Sequence, residues 1–245
     1  MAITSRFKMG LWFNGKHSTE LGVDMLTGGE IGFPEKSKSI ISVPYANSPI
    51  DLSLIYANVQ TYEQRQIKKV FMIRDRANLT RIGQRRVAND VVNWVESSNS
   101  QTPLILDEDP DYYFLAEVQT APTLEEFDLY GTLTIEWTCY PFRVHRYSDT
   151  SDVWDTFDFD NDIAHISDFI VNGTAQLIYL NTGQSVLIPD IVVVDGSVTL
   201  TFNDKSIALS VGTYHSWDIG LQPGINYFQF SGHGHVKVDY YREVI

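Results

Sequence analysis

Between Leu104 and Arg143 the apolar and polar positions of the chain trade places with a strand's period of two. A short apolar run at residues 104–106 meets an acidic turn, Asp107-Glu108-Asp109, with Pro110 inside it. A stretch rich in aromatic and branched residues follows at 112–118. After a second turn, residues 131–139 set Leu133, Ile135 and Trp137 against Thr132, Thr134, Glu136 and Thr138. That alternation predicts a strand with one buried face. Pro141 is expected to close the run, since proline cannot donate to a central ladder.

Residues 6–76 read as short strands separated by turns. Asn14-Gly15, after Leu11-Trp12-Phe13, is a hairpin signal. Gly28-Gly29 and Phe33-Pro34-Glu35 read as breakers. Residues 66–74 alternate again, with Ile67, Phe71 and Ile73 apolar. Residues 78–96 carry the clearest helical pattern. Asn78 is the expected cap, and Leu79, Ile82, Val87, Val91, Trp94 and Val95 make an apolar stripe able to lie on a sheet. Arg81, Arg85 and Arg86 fall largely on the other face, where a solvated role is expected ahead of an acidic neighbour or DNA.

Strand patterning stops at residues 144–155, which marks the expected boundary between two domains, 1–147 and 148–245. Beyond it lie short β-prone runs at 175–180, 185–188, 191–194, 197–202, 205–209, 214–219, 226–231 and 235–241. Asn172-Gly173, Asp195-Gly196, Asn203-Asp204 and Pro223-Gly224 are the expected turns. Many short strands at this spacing predict a sandwich or jelly roll.

Charge separates the two halves further. Residues 1–147 hold 15 Lys+Arg against 18 Asp+Glu, and residues 148–245 hold 3 against 13. Net charges of −3 and −10 follow, a contrast that suits two domains with different roles. So acidic a surface resists nonspecific binding to nucleic acid. The chain of 245 residues is 43% hydrophobic and 20% charged, an ordinary globular composition. No apolar run nears the length of a membrane span, and the opening residues lack the apolar core of a signal peptide. Folding in a reducing cytoplasm is therefore expected. Cys139 is the one cysteine, so an intrachain disulfide and a cysteine zinc site are excluded.

Candidate chemistry is sparse. Cys139 lies in an alternating strand and reads as a packed core thiol. Asp158, Asp160 and Asp162 begin like a calcium loop, but Ile163 and Phe169 stand where that loop needs Gly and Glu, so a charged linker is favoured. His233 and His235 share a strand face with no third ligand in view. Glu125-Glu126 and the acidic triplet at 107–109 read as solvated turns. Trp154, Tyr214, Trp217 and Tyr227 are expected in the core, with sugar stacking the alternative. No catalytic, cofactor-binding or metal-binding residue is assigned, and no cofactor is expected.

Several stretches together resemble the distal tail protein (Dit) family of long-tailed bacteriophages. They are the 104–143 segment, Phe13-Asn-Gly-Lys-His-Ser-Thr-Glu-Leu-Gly-Val23, Val43-Pro44 with Ile50-Asp-Leu-Ser53, Tyr62-Glu-Gln-Arg65-Gln-Ile67, Leu221–Gly232 and Val238–Val244. The resemblance covers the first 143 residues and roughly the last 30; residues 146–203 diverge. It implies a mainly β protein, with an N-terminal β-sandwich carrying one α-helix and a C-terminal galectin-like β-sandwich. It implies a homo-hexameric ring at the virion tail tip, made in the host bacterial cytoplasm. The ring would join the tail tube protein to tail-tip or baseplate proteins, such as a tail-associated hub or a receptor-binding protein. DNA would only pass through its channel, and no membrane or catalysis is implied. A carbohydrate-binding module recognising host cell-wall sugars is the alternative reading.

Overall fold

The computed structural model describes residues 9–45, 47–54, 59–75, 80–128, 130–148 and 165–245. They fall into two compact units, one drawn from 1–40, 61–144 and 245, the other from 41–60 and 145–244. The architecture is mainly β, with one α-helix among the described residues.

The first unit opens with β1 (Leu11–Phe13), β2 (Lys16–His17) and β3 (Asp24–Ile31). Asn14 and Gly15, at φ 50° and 74°, make the two-residue turn that joins β1 to β2, as the sequence predicts. The Gly28-Gly29 pair does not break the chain. It lies inside β3 as a bulge, where the register to the neighbouring strand slips between Met25 and Gly29. Where the chain leaves this unit for residues 41–60, β4 (Ile40–Ile41) and β5 (Ile50–Asp51) form a ladder of their own. Then come β6 (Arg65–Ile73), α1 (Arg81–Glu96), β7 (Thr102–Leu106), β8 (Asp109–Glu117), β9 (Thr123–Glu126) and β10 (Gly131–His145). The main sheet runs β2-β1-β7-β8-β10-β6-β3, with β9 also beside β10.

β10 buries Leu133, Ile135, Trp137 and Cys139 on one face, as its alternation requires. It does not stop at Pro141. Its ladder to β6 ends at Cys139, and the strand then continues to His145 with Pro141, Phe142, Val144 and His145 all buried. Pro141 thus costs no bond to β6. Pro110 likewise lies inside β8 and not in the acidic turn.

The helix begins at Arg81, capped by Thr80, whose hydroxyl accepts the Gly83 N–H at 3.1 Å. Asn78 and Leu79 lie outside the described residues. Ala88, Val91, Trp94 and Val95 join the sheet's core with Val87 packed against it. Ile82, expected in that stripe, is exposed, and the polar Gln84 is buried in its place. Trp94 ties helix to sheet: its indole N–H donates to the Phe13 carbonyl at 2.8 Å, and the two rings meet edge-on.

The second unit contains β11 (Asp168–Asn181), β12 (Asp190–Phe202), β13 (Lys205–His215) and β14 (Gly224–Asp239), in the order β11-β14-β12-β13. These are four long strands where eight short runs were expected. The expected turns Asn172-Gly173 and Asp195-Gly196 lie within strands; Asn203-Asp204 is a true turn, with φ 47° and 60°. Gly173 (φ 95°), Gly232 (φ 122°), Gly196 (φ 75°) and Gly212 (φ 149°) form a line across the sheet.

Along that line the sheet folds over. A straight strand rises about 3.3 Å per residue, which would put Ile166 and Tyr179 roughly 43 Å apart. Yet the Tyr179 hydroxyl donates to the Ile166 carbonyl at 2.9 Å. Tyr240, just past the far end of β14, likewise has its ring 6.1 Å from that of Tyr179. Long strands such as β11 and β14 therefore serve two layers. Runs 191–194 and 197–202 are the halves of β12 and runs 226–231 and 235–241 those of β14, whereas run 185–188 lies outside the strands and the first half of β11 was not expected. Val171, Tyr179, Ile191, Leu200, Phe228, Phe230, Val236 and Val238 fill the space between. The result is a β-sandwich made from one bent sheet.

Candidate assembly surface

The residues singled out for chemistry are mostly tied into structure. Cys139 is fully buried, its thiol directed at the Trp137 carbonyl, and burial pushes its pKa up to about 12. A thiol held that firmly in its neutral form is no nucleophile at neutral pH.

The acidic triplet is not a solvated turn. Asp107 accepts the Gly10 N–H at 2.7 Å and faces His17 Nε2 at 3.1 Å. Glu108 pairs with Lys69, a cation buried among the apolar residues of β6. Asp109 binds Arg143 Nη1 at 2.6 Å, and that guanidinium lies 4.5 Å from the Tyr112 ring centroid. Three consecutive carboxylates thus engage a histidine of β2, a lysine of β6 and an arginine of β10, so one turn fastens three strands of the sheet. Arg65, also on the inner face of β6, donates to the Gly32 carbonyl at 2.7 Å and lies 5.0 Å from the Phe114 ring centroid. Burial lowers its pKa from the usual arginine value.

Nor does the basic helix face stand free. Arg85 makes a two-pronged bond to Glu126, at 2.7 and 3.0 Å, and Arg81 reaches Asp128 at 2.8 Å. The Arg85 hydrogen bond holds the Glu126 carboxyl below the usual range. Glu126 and Asp128 are therefore the acidic half of an ion-pair ladder to the helix, while Glu125 accepts from the Thr132 hydroxyl at 3.5 Å.

Of the paired histidines, His235 hydrogen-bonds Asp168, which also accepts from Lys237 Nζ at 2.8 Å. Lys237 first and His235 second hold Asp168 below its ordinary pKa. Among the described residues no group of three or more His, Cys, Asp or Glu could hold a metal ion. Asp158, Asp160, Asp162 and Trp154 lie outside the described residues. Trp217 and Tyr227, expected in the core, are exposed, Trp217 at 79%. Tyr214 is half-buried and packs against the core of its unit.

What stands out instead is apolar surface without cover. In and around the β4–β5 ladder, Ile40, Ile41, Val43, Tyr45, Ile50 and Leu54 are all exposed. Two strands of two residues each have no face to bury them on, and an isolated hairpin of that size is unstable in water. Contiguous exposed apolar groups of this kind mark a contact with another molecule. Separately, Phe127 and Tyr130 stack at 4.9 Å beside the arginine ladder, both exposed. The sequence contained Val43-Pro44 and Ile50-Asp51 as motifs, but alternation alone does not tell a covered strand from an uncovered one.

No known family matches the chain, and no curated protein matches it by sequence. By structure it is similar to the Dit protein of phage SPP1, whose crystal structure is described as a paradigm of the hub adsorption apparatus in phages infecting Gram-positive hosts. The match has a TM-score of 0.66 at 11% sequence identity, covering 97% of this chain and 99% of that one. The resemblance to distal tail proteins seen in scattered motifs is therefore joined by a likeness of fold over 97% of the chain.

Proposed function

We propose that this chain is a structural hub of a phage tail tip or baseplate. Residues 1–147 form the ring with copies of themselves, six in number, and residues 148–245 are a galectin-like sandwich. The ring joins the tail tube protein to the host-adhesion apparatus, a tail-associated hub or receptor-binding protein, and leaves a channel for DNA. It catalyses no reaction. The observation that supports this reading is the likeness of fold to a hub protein over essentially all of both chains. The bare β4–β5 segment suits it, since a head-to-tail contact whose rotation closes needs an adhesive patch on each subunit to meet a different, complementary surface of the next. The acidic balance keeps a DNA passage from adhering to its cargo. Native mass spectrometry of the purified chain tests it: a hexamer is expected, and the double substitution Ile40→Asp/Ile41→Asp should return monomers. A chain that stays monomeric at high concentration, and is absent from a reconstructed tail tip, refutes it.

One observation favours a second reading. Trp217 is 79% exposed and Tyr227 is exposed as well, which suits stacking on a sugar ring. Binding of host cell-wall polysaccharide that disappears in Trp217→Ala would support a carbohydrate-binding module.

A further inference from the structure

β11 is the last strand of its sheet, and no strand among the described residues pairs with its outer edge. Two bonds reveal which backbone groups face that edge. The Leu180 N–H turns away from β14 and donates to His165 Nε2 at 3.0 Å. Ser167, of the opposite parity, gives its carbonyl to the Val238 N–H at 2.8 Å. The register of β11 on β14 then runs without a slip from Asp168 to Asn181. In an antiparallel ladder the direction of N–H and C=O alternates residue by residue. Gln176 and Ile178 therefore also turn both groups to the open edge. A groove of about 320 Å³ lies there, lined by His165, Ile166 and residues 176–179.

The flank of this edge is apolar. Ile178 stands opposite Tyr227, and Leu180 opposite Ile225, on the outer face of the sheet. Ile178 is 57% exposed, Tyr227 55%, Ile225 61%, and Ile166 in the groove wall 59%. Natural edges are blunted by charge, proline or a bulge. Residues 174–180 have none of the three. The opposite edge of the same sheet is treated differently. There the Tyr214 hydroxyl accepts the Ser210 N–H at 2.8 Å and reaches the Ser210 carbonyl at 3.0 Å, which closes the middle of β13 to any added strand. One edge is closed in its middle, and the other, where His165 takes the Leu180 N–H, has no strand or side chain among the described residues bonded to the outward groups of Gln176 and Ile178.

We propose that the outer edge of β11 at residues 176–180 accepts an extended, basic segment of a partner protein as a fifth strand. Strand addition uses the backbone groups of Gln176 and Ile178 for affinity, and every second side chain of the added strand lands beside Ile178 and Tyr227. Charge chooses the partner: residues 165–245, all described, carry 7 acidic against 3 basic residues, so the segment that docks there is basic. The inference does not depend on the ring or on the tail-tip assignment.

The test uses the full chain and a seven-residue peptide of alternating lysine and valine, blocked at both ends. Its binding should slow amide exchange of Gln176 and Ile178 by about tenfold or more at saturation. Ile178→Lys puts a charge on the edge, and Gln176→Pro removes an N–H that no ladder bond uses. Each should weaken the peptide about tenfold or more while leaving thermal unfolding unchanged. A version of the peptide methylated on its backbone nitrogens keeps every charge and side chain, and should not bind. Equal binding of the methylated peptide, equal binding of a glutamate–valine peptide, or no binding at ~1 mM overturns the proposal. So does a concentration-dependent dimer of the chain that Ile178→Lys abolishes, since the occupant would then be a second copy.

Discussion

Gly232 is the position where the bend in the second unit can be measured. Its φ of 122° lies in a region side chains rarely adopt, and a Cβ built there would sit 2.6 Å from the Ser197 carbonyl oxygen and 3.2 Å from Val198 Cα. Gly173 stands directly opposite in the ladder, with φ 95° and nothing within 4 Å of the same added atom. The two glycines share a conformational cost and differ in the contact. Gly173→Ala should therefore cost about 1–3 kcal/mol, the usual strain of such a backbone. Gly232→Ala bears the same strain and must also push β12 off β14. Losing one or two ladder bonds at about 1 kcal/mol each brings its total to about 2–5 kcal/mol, always above that of Gly173→Ala. That is a large share of a typical domain's stability of roughly 5–15 kcal/mol. Urea unfolding followed by circular dichroism, with methyl NMR signals separating the two units, gives both values. The reasoning fails if the two variants cost the same. The close approach at Ser197 would then not constrain the strands, and the bend would rest on backbone conformation alone.

Trp94→Ala should cost about 3–5 kcal/mol in the first unit, the range for a large buried aromatic, and Trp94→Phe should cost less by keeping most of the packing; unchanged urea unfolding in Trp94→Ala would remove the helix from the core. His165 accepts the Leu180 N–H at Nε2 and meets the Tyr240 hydroxyl at Nδ1, and burial holds its pKa below the usual value. The folded state then binds fewer protons than the unfolded one, so this contribution is complete above about pH 6.5 and falls as pH drops toward the folded value; His165→Gln should flatten that part of the stability profile. Cys139, buried and with its thiol pushed up to about 12, should resist iodoacetamide at pH 8 in the folded chain and react on unfolding.

The sequence yielded most where one side chain's neighbours are set locally. Leu133, Ile135 and Trp137 alternate because a single sheet face is buried, and Asn14-Gly15 turns because both residues tolerate positive φ. It yielded least where one local signal has two physical uses. Asn172-Gly173 and Asp195-Gly196 look like hairpin turns, yet the same freedom of glycine lets a continuous strand bend. The roles of Asp107, Glu108 and Asp109 were hidden for another reason. Their partners His17, Lys69 and Arg143 are 90, 39 and 34 positions away, and only the sheet order brings them together. Lys69 itself follows the inward period of β6 and was passed over, because a lysine on that face reads as a defect until its carboxylate is known.

The exposed segment around β4 and β5 shows where local and assembly-level physics part. Ile40, Ile41, Val43, Tyr45, Ile50 and Leu54 would be unfavourable on a lone chain, since each buried large apolar side chain contributes about 1.5–3 kcal/mol and none of that is realised here. Several charges and one strand edge elsewhere are given partners. Lys69 is given a carboxylate, the middle of β13 is capped by Tyr214, and Arg81 and Arg85 of the helix are each paired with a carboxylate. Against that background, uncovered isoleucines in one hairpin and an unblunted edge on β11 are two features of the same kind. Each is surface left uncovered among the described residues, and each suits the assembly proposed above.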